Sequence, residues 1–312
     1  MGLISLEKAA LDLCQQSEKF IPTTIGLKAW RERLNLLQKM PVYQHEVTIM
    51  TEKILDEDQK KLTLQLFFPT NYQQKDKLSV VYFVHGGQFI SGDAFCYHKL
   101  LAELANRGQV CVVFPEYCLA PESKAPAQLK QIKAGFEALS WLKDKYSLDL
   151  KRVICAGDDV GGGLALSLAY IATAPKIYKL LLLYPVVSAY FDNSSYYEFA
   201  GGYRISREQM KWAWQQYLGT DKAKDALYQP LLLSKKQLAL MPETLIITAE
   251  ADVTRSEGEA MGRKMRDAGV NVVEVGIQGI IHDFMMLNML DKTNACRLAM
   301  NLAVDWIIKR KD

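Results

Sequence analysis

Two hydrophobic periods alternate along the chain. Residues 1–40 place apolar side chains at helical spacing and contain no strand-like run, which predicts two amphipathic helices. From about Glu46 the pattern changes. Val47–Met50 and Leu62–Phe68 alternate or run apolar, as an antiparallel pair would. Short continuous apolar runs follow at Val80–Val84, Val110–Phe114, Val153–Ala156, Leu180–Tyr184, Leu245–Thr248 and Val270–Val275. Between and after them lie helical stretches near Lys99–Arg107, Ala127–Lys145, Gly162–Ala174, Arg255–Ala268 and Asn294–Lys309. Buried runs of about five residues separated by helices predict an α/β fold with a mostly parallel sheet covered on both faces.

One stretch breaks this rhythm. Residues 189–240 are rich in Tyr, Trp and Lys, include a helical pattern near Ser206–Leu218, and insert between two sheet strands. An insertion on the carboxyl side of a parallel sheet is expected to form a lid, and with residues 1–45 it makes a helical cap on a single domain spanning 1–312. Neither internal repeats nor low-complexity tracts are evident.

Composition narrows the function. A hydrophobic content of 49% over 312 residues supports a large core, and the formal net charge of +3 is small for that length. The strongest basic cluster, Lys309-Arg310-Lys311, reads as a solvated helix end, so no nucleic-acid partner is expected. Cysteines 14, 96, 111, 118, 155 and 296 show no CxxC spacing, and Cys111 and Cys155 sit inside apolar runs as small hydrophobes. Glu7 and Lys8 occupy the place of a signal's apolar run, and Leu6 stands where N-myristoylation at Met1-Gly2 needs Ser or Thr. The longest apolar stretch, Leu180–Phe191, is broken by Pro185 and too short to span a bilayer. A cytoplasmic protein with reduced thiols and no membrane span is expected.

The chemistry centres on Gly157-Asp158-Asp159-Val160-Gly161-Gly162. A strand that turns into a helix on glycines pushes one side chain into the open, and in a G-x-S-x-G elbow that side chain is a nucleophilic serine. Here the position belongs to Asp159.

Four further segments accompany this turn in order: His85-Gly86-Gly87-Gln88 after a strand, Tyr117-Cys118-Leu119-Ala120-Pro121-Glu122, Glu250-Ala251-Asp252 with Arg255, and Gly279-Ile280-Ile281-His282-Asp283-Phe284. Together the five segments resemble the hormone-sensitive-lipase-like family of α/β-hydrolases, which includes bacterial carboxylesterases and lipases. The resemblance implies an eight-stranded, mostly parallel sheet with a helical cap. It also implies hydrolysis of short to medium acyl esters through an acyl-enzyme. By the same resemblance Asp159 stands at the nucleophile position, His282 is the base, and Asp252 orients it. Gly86, Gly87 and Val160 would supply the oxyanion hole, while His85 and the Tyr117–Glu122 turn are structural. Gln88, Gly163 and Val253 depart from the commonest family residues without disturbing this frame. Family members also pair as homodimers through the last strand and helix, an arrangement the residues themselves leave open.

Three readings of Asp159 stay open. A carboxylate has no proton for His282 to take and puts negative charge where an oxyanion must form, so this residue disables ester hydrolysis. Alternatively Asp159 is itself a nucleophile, as in haloalkane dehalogenases and epoxide hydrolases, whose alkyl-ester intermediate His282 would hydrolyse. Lid aromatics Tyr190, Tyr196, Tyr197, Tyr203, Trp212 and Trp214 would then bind the leaving group; Gln88 is a further substrate contact. In the third reading the pocket binds a small apolar ligand without turnover, as the related plant gibberellin receptors do. His282 between Asp159 and Asp252 is expected to have a raised pKa. No metal or organic cofactor is expected, because the histidines lack ligand spacing and no phosphate loop is present.

Overall fold

The apolar runs become the strands of one sheet: β1 (Val47–Leu55), β2 (Lys61–Pro69), β3 (Leu78–Val84), β4 (Cys111–Glu116), β5 (Leu148–Asp158), β6 (Ile177–Leu183), β7 (Glu243–Ala251) and β8 (Val272–Ile281). Their order across the sheet is β1-β2-β4-β3-β5-β6-β7-β8. Strand β2 runs antiparallel to both β1 and β4, and every later pairing is parallel. The computed structural model describes residues 4–17, 22–75, 77–218 and 225–309. The Met1-Gly2 and Arg310-Lys311 pairs lie outside the described residues.

Helices fill the connections: α1 (Lys8–Ser17), α2 (Pro22–Leu37), α3 (Ala94–Gly108), α4 (Ala127–Glu137), α5 (Leu139–Lys145), α6 (Asp159–Ile171), α7 (Ser194–Glu198), α8 (Arg207–Leu218), α9 (Lys235–Leu238), α10 (Arg255–Asp267) and α11 (Asn294–Ile308). Among the described residues no helix is long and apolar enough to cross a membrane. None of the six cysteines forms a disulfide, and Cys111 and Cys155 are buried in β4 and β5.

Several boundaries differ from the pattern-based reading, among them β1, which runs on to Leu55, and β5, which starts at Leu148. Helix α3 starts before Lys99 because the Asp93 carboxylate accepts the Cys96 N–H at 2.8 Å and caps it. The single helix expected over Ala127–Lys145 divides into α4 and α5 at Ala138. Strand β8 runs past Val275 to Ile281, since an edge strand keeps only some positions buried: Val273 and Gln278 face solvent, so no apolar run marks it.

The core lies between the sheet and its helices, with Val80–Val84, Cys111–Phe114 and Leu180–Leu183 all buried. Parallel strands β3, β5, β7 and β8 end on the same edge of the sheet. The segments after them carry His85–Gln88, Asp159, Asp252 and His282. The topology therefore gathers at one edge residues that the chain separates by up to two hundred positions, the usual ligand-binding edge of an open α/β sheet.

Candidate active site

The elbow is tight. Asp158 ends β5 in extended conformation, and Asp159 opens α6 at φ +49°, a left-handed geometry that Asp tolerates better than most residues. Gly161 makes the turn close: a Cβ there would stand 2.2 Å from the Val84 carbonyl oxygen. The Asp159 side chain is buried. Its Oδ2 accepts the Gln88 N–H at 2.7 Å, and its Oδ1 lies 3.4 Å from His282 Nε2. At that length the second contact is an ion-pair approach; neither Oδ1 nor Nε2 makes a hydrogen bond.

His282 follows β8 directly and is wholly buried. Its Nδ1 is 2.6 Å from Asp252 Oδ2. Asp252 is held in turn by the Thr254 N–H on Oδ1 at 2.9 Å and the Thr254 hydroxyl on Oδ2 at 3.0 Å. Glu250, the nearest competitor for this place, accepts the Gly279 N–H at 2.7 Å. Burial by itself lowers the His282 pKa. The Asp252 and Asp283 charges and the Asp159 contact outweigh it and hold the imidazolium well above the usual range. This is the direction expected for a ring flanked by carboxylates.

The loop after β3 corrects one expectation. The Gly86 N–H is donated to Asp158 Oδ1 at 2.8 Å, so it faces the structural acid and not the reacting position. Gln88 supplies the amide that reaches residue 159. The cause is backbone geometry: Gly87 at φ +82° and Gln88 at φ +57° turn successive amides to different sides. Gly87 also admits no Cβ, which would stand 2.1 Å from the Ser91 carbonyl oxygen. Val160 follows Asp159 in the first turn of α6. Burial, then the Asp283 and Asp159 charges, push the Asp158 carboxyl far up, and the Tyr97 hydroxyl donates to it at 2.9 Å. His85 stacks on Tyr117 at 4.1 Å, and burial lowers its pKa to about 4, so it braces the loop as a neutral ring. The Tyr117 hydroxyl donates to the His85 carbonyl at 2.6 Å.

The aromatic positions of 189–240 divide. Tyr190 and Tyr197 are 60% and 61% exposed, and Tyr197 donates to Asp192, so neither faces the site. A phenol hydroxyl at the surface keeps its polar partners in water or on Asp192, and the composition of the segment carried no information on facing. Tyr203 packs edge-on against Phe199, Trp212 against Trp30, and Trp214 against Phe89 of the loop after β3. A cavity of about 20 Å³ adjoins the site, bounded by Trp30, Arg33, Gly87, Gln88, Arg204 and Asp283 among others. It is no larger than a water site, and neither the hollow of about 570 Å³ between β1 and α4 nor that of about 810 Å³ beside Tyr170 and Met241 shares a residue with it. Burial and then Arg204 lower the Arg33 pKa to about 10.

Three residues escaped sequence reasoning. Asp283, at φ +64°, turns its Oδ1 to 3.5 Å from His282 Nε2, and Arg204 Nη2 lies 3.3 Å from Asp283 Oδ2. Tyr184 packs its ring 4.9 Å from that of His282. Adjacency to His282 was the only available signal for Asp283; Arg204 and Tyr184 had none. The histidines indeed lack ligand spacing along the chain, but the fold sets Asp159, His282 and Asp283 so that one donor atom of each lies within 4.8 Å of the others.

Residues 80–286 match the family described by the alpha/beta hydrolase fold. The chain belongs to that family. Within this α/β-hydrolase family its place is the hormone-sensitive-lipase-like group. A thermostable esterase from Pseudomonas putida has the same fold with a TM-score of 0.93, at 30% identity and with 100% of both chains covered. Vegetative-specific protein H5 of Dictyostelium discoideum is 30% identical over 315 residues, 97% of this chain and 92% of its own. Ethyl acetate hydrolase of Pseudomonas putida is 28% identical over 75% of this chain and 74% of its own. The α/β-hydrolase chain is thus an esterase-type scaffold.

Proposed function

We propose that the site is that of a carboxylic-ester hydrolase for short to medium acyl esters in which Asp159 takes the nucleophile's place, leaving ester hydrolysis absent or strongly impaired. The observation that carries this is the line of three groups. Asp159 at the elbow faces His282 Nε2 at 3.4 Å, and His282 Nδ1 meets Asp252 at 2.6 Å. In an acyl-transfer enzyme the first group of such a line loses a proton to the imidazole and attacks the ester carbonyl. A carboxylate in that place has no hydroxyl proton to give. Its Oδ2 accepts the Gln88 N–H, a donor that an oxyanion would otherwise use. Helices α2 and α8, meeting at Trp30 and Trp212, serve as the cap of a single domain over the 20 Å³ cavity.

Asp159→Ser tests this reading with p-nitrophenyl acyl esters: hydrolysis gained by the variant supports it, and a folded variant without gain opposes it. One observation favours a second reading, an aspartate nucleophile attacking an sp³ carbon. One carboxylate oxygen is anchored by a backbone N–H while the other faces the cleft and the histidine. Halide release or diol formation that disappears in Asp159→Asn would favour this reading over the first.

A further inference from the structure

We propose that Asp159, His282 and Asp283 form a binding site for one divalent transition-metal ion of the zinc type. Three donor atoms carry the argument: Asp159 Oδ1, His282 Nε2 and Asp283 Oδ1. Each is buried, and none makes a hydrogen bond. They meet one another only at ion-pair distance, and buried polar atoms are rarely left without a hydrogen bond. Three that converge on one point mark a place that a cation would complete.

The spacing fits. Nε2 is 3.4 Å from Asp159 Oδ1 and 3.5 Å from Asp283 Oδ1. A tetrahedral ion with bonds of about 2.1 Å holds its ligand atoms about 3.4 Å apart. The third edge is within 4.8 Å and closes with a small turn of either carboxylate. One imidazole nitrogen and two carboxylate oxygens are donors that zinc and cobalt accept, and three protein ligands leave a fourth position open.

The atoms behind the donors are arranged for the same end. His282 Nδ1 is 2.6 Å from Asp252 Oδ2, the carboxylate–histidine–metal order that fixes the ring and leaves Nε2 to bind. Asp159 keeps its other oxygen on the Gln88 N–H, and Asp283 turns its other oxygen to Arg204 Nη2 at 3.3 Å. Each carboxylate is therefore oriented by the oxygen the ion does not use.

The site is independent of the ester reading, since it uses residue 159 as a carboxylate. The test uses the full chain stripped with a chelator and then titrated with Co²⁺ (visible absorption) and Zn²⁺ (calorimetry). The expected result is one equivalent bound, with the ligand-field bands of a low-coordinate cobalt centre and no cobalt–thiolate charge transfer. Asp159→Asn and Asp283→Asn, each checked for cooperative thermal unfolding, should weaken binding by more than about 100-fold. Asp252→Asn, which changes only the group behind the ring, should weaken it by about 10–100-fold. Absence of a stoichiometric complex overturns the proposal, as does a complex with thiolate bands or one that folded Asp159→Asn and His282→Gln retain at full affinity.

Discussion

Replacing Asp159 by serine changes two things at once, and the structure assigns a size to each. The first is chemical. The variant places a hydroxyl at the elbow, beside an imidazole already aligned by Asp252 at 2.6 Å and near the Gln88 N–H that Asp159 now engages. Loss of the serine in a well-studied protease costs about two million-fold in kcat, so installing one in an otherwise complete frame should raise kcat by up to about a million-fold, or about 8 kcal/mol. The second effect is electrostatic. A carboxylate oxygen 3.4 Å from Nε2 contributes about 5 kcal/mol to the imidazolium at an effective dielectric constant of about 20. Its removal lowers the His282 pKa and moves the ring toward the neutral base that acyl transfer needs. Both effects are read on one protein: initial rates with p-nitrophenyl acetate and butyrate, and the His282 ring resonances followed by NMR against pH. A folded Asp159→Ser whose rate stays within about ten-fold of the parent would refute the claim that the remaining groups are in working order. A His282 titration unchanged by the substitution would refute the ion-pair geometry.

Other outcomes follow from the same structure. In the Asp159→Ser background, Gly87→Ala should reduce kcat by about 10²–10³-fold, because its Cβ meets the Ser91 carbonyl oxygen at 2.1 Å and displaces the loop holding the Gln88 amide; retention of full activity would show that this loop holds no part of the oxyanion site. Glu257, buried with its pKa raised to about 8, stays protonated in the folded chain and ionises near 4.5 when unfolded. The unfolded state therefore binds fewer protons between those values, and stability falls by up to a few kcal/mol as pH rises from about 4.5 to 8. Glu257→Gln should remove its own part of that fall and leave the parts due to Asp158 and His282, which urea unfolding of parent and variant at pH 5 and pH 8 measures as a difference. Lys99 is buried, donates to the Met285 carbonyl at 2.7 Å and pairs with Asp291 at 3.3 Å, so Lys99→Ala should destabilise the chain by about 3–5 kcal/mol in thermal or denaturant unfolding. A loss below 1 kcal/mol would mean that Arg297 alone satisfies Asp291.

What the sequence determined by itself is what short-range pattern encodes. Continuous apolar runs marked the central strands because β3, β4 and β6 are buried on both faces, and a strand so placed has little room for polar residues. Glycines at 157, 161 and 162 marked the elbow because no Cβ fits there. The family resemblance pointed to Asp252 and His282, and each follows a strand end that the parallel sheet brings to one edge. The edge strands were less legible: β1 and β8 expose much of their length, and their bounds drifted. Only the tertiary structure decided which amide faces residue 159, since the direction of the Gly86 and Gln88 N–H groups depends on two positive φ angles and not on residue type alone. It alone turned Tyr190 and Tyr197 to solvent and brought Arg204 onto Asp283. These outcomes rest on contacts between segments far apart in the chain, where hydrophobic periodicity says that a residue is buried but not what it is buried against.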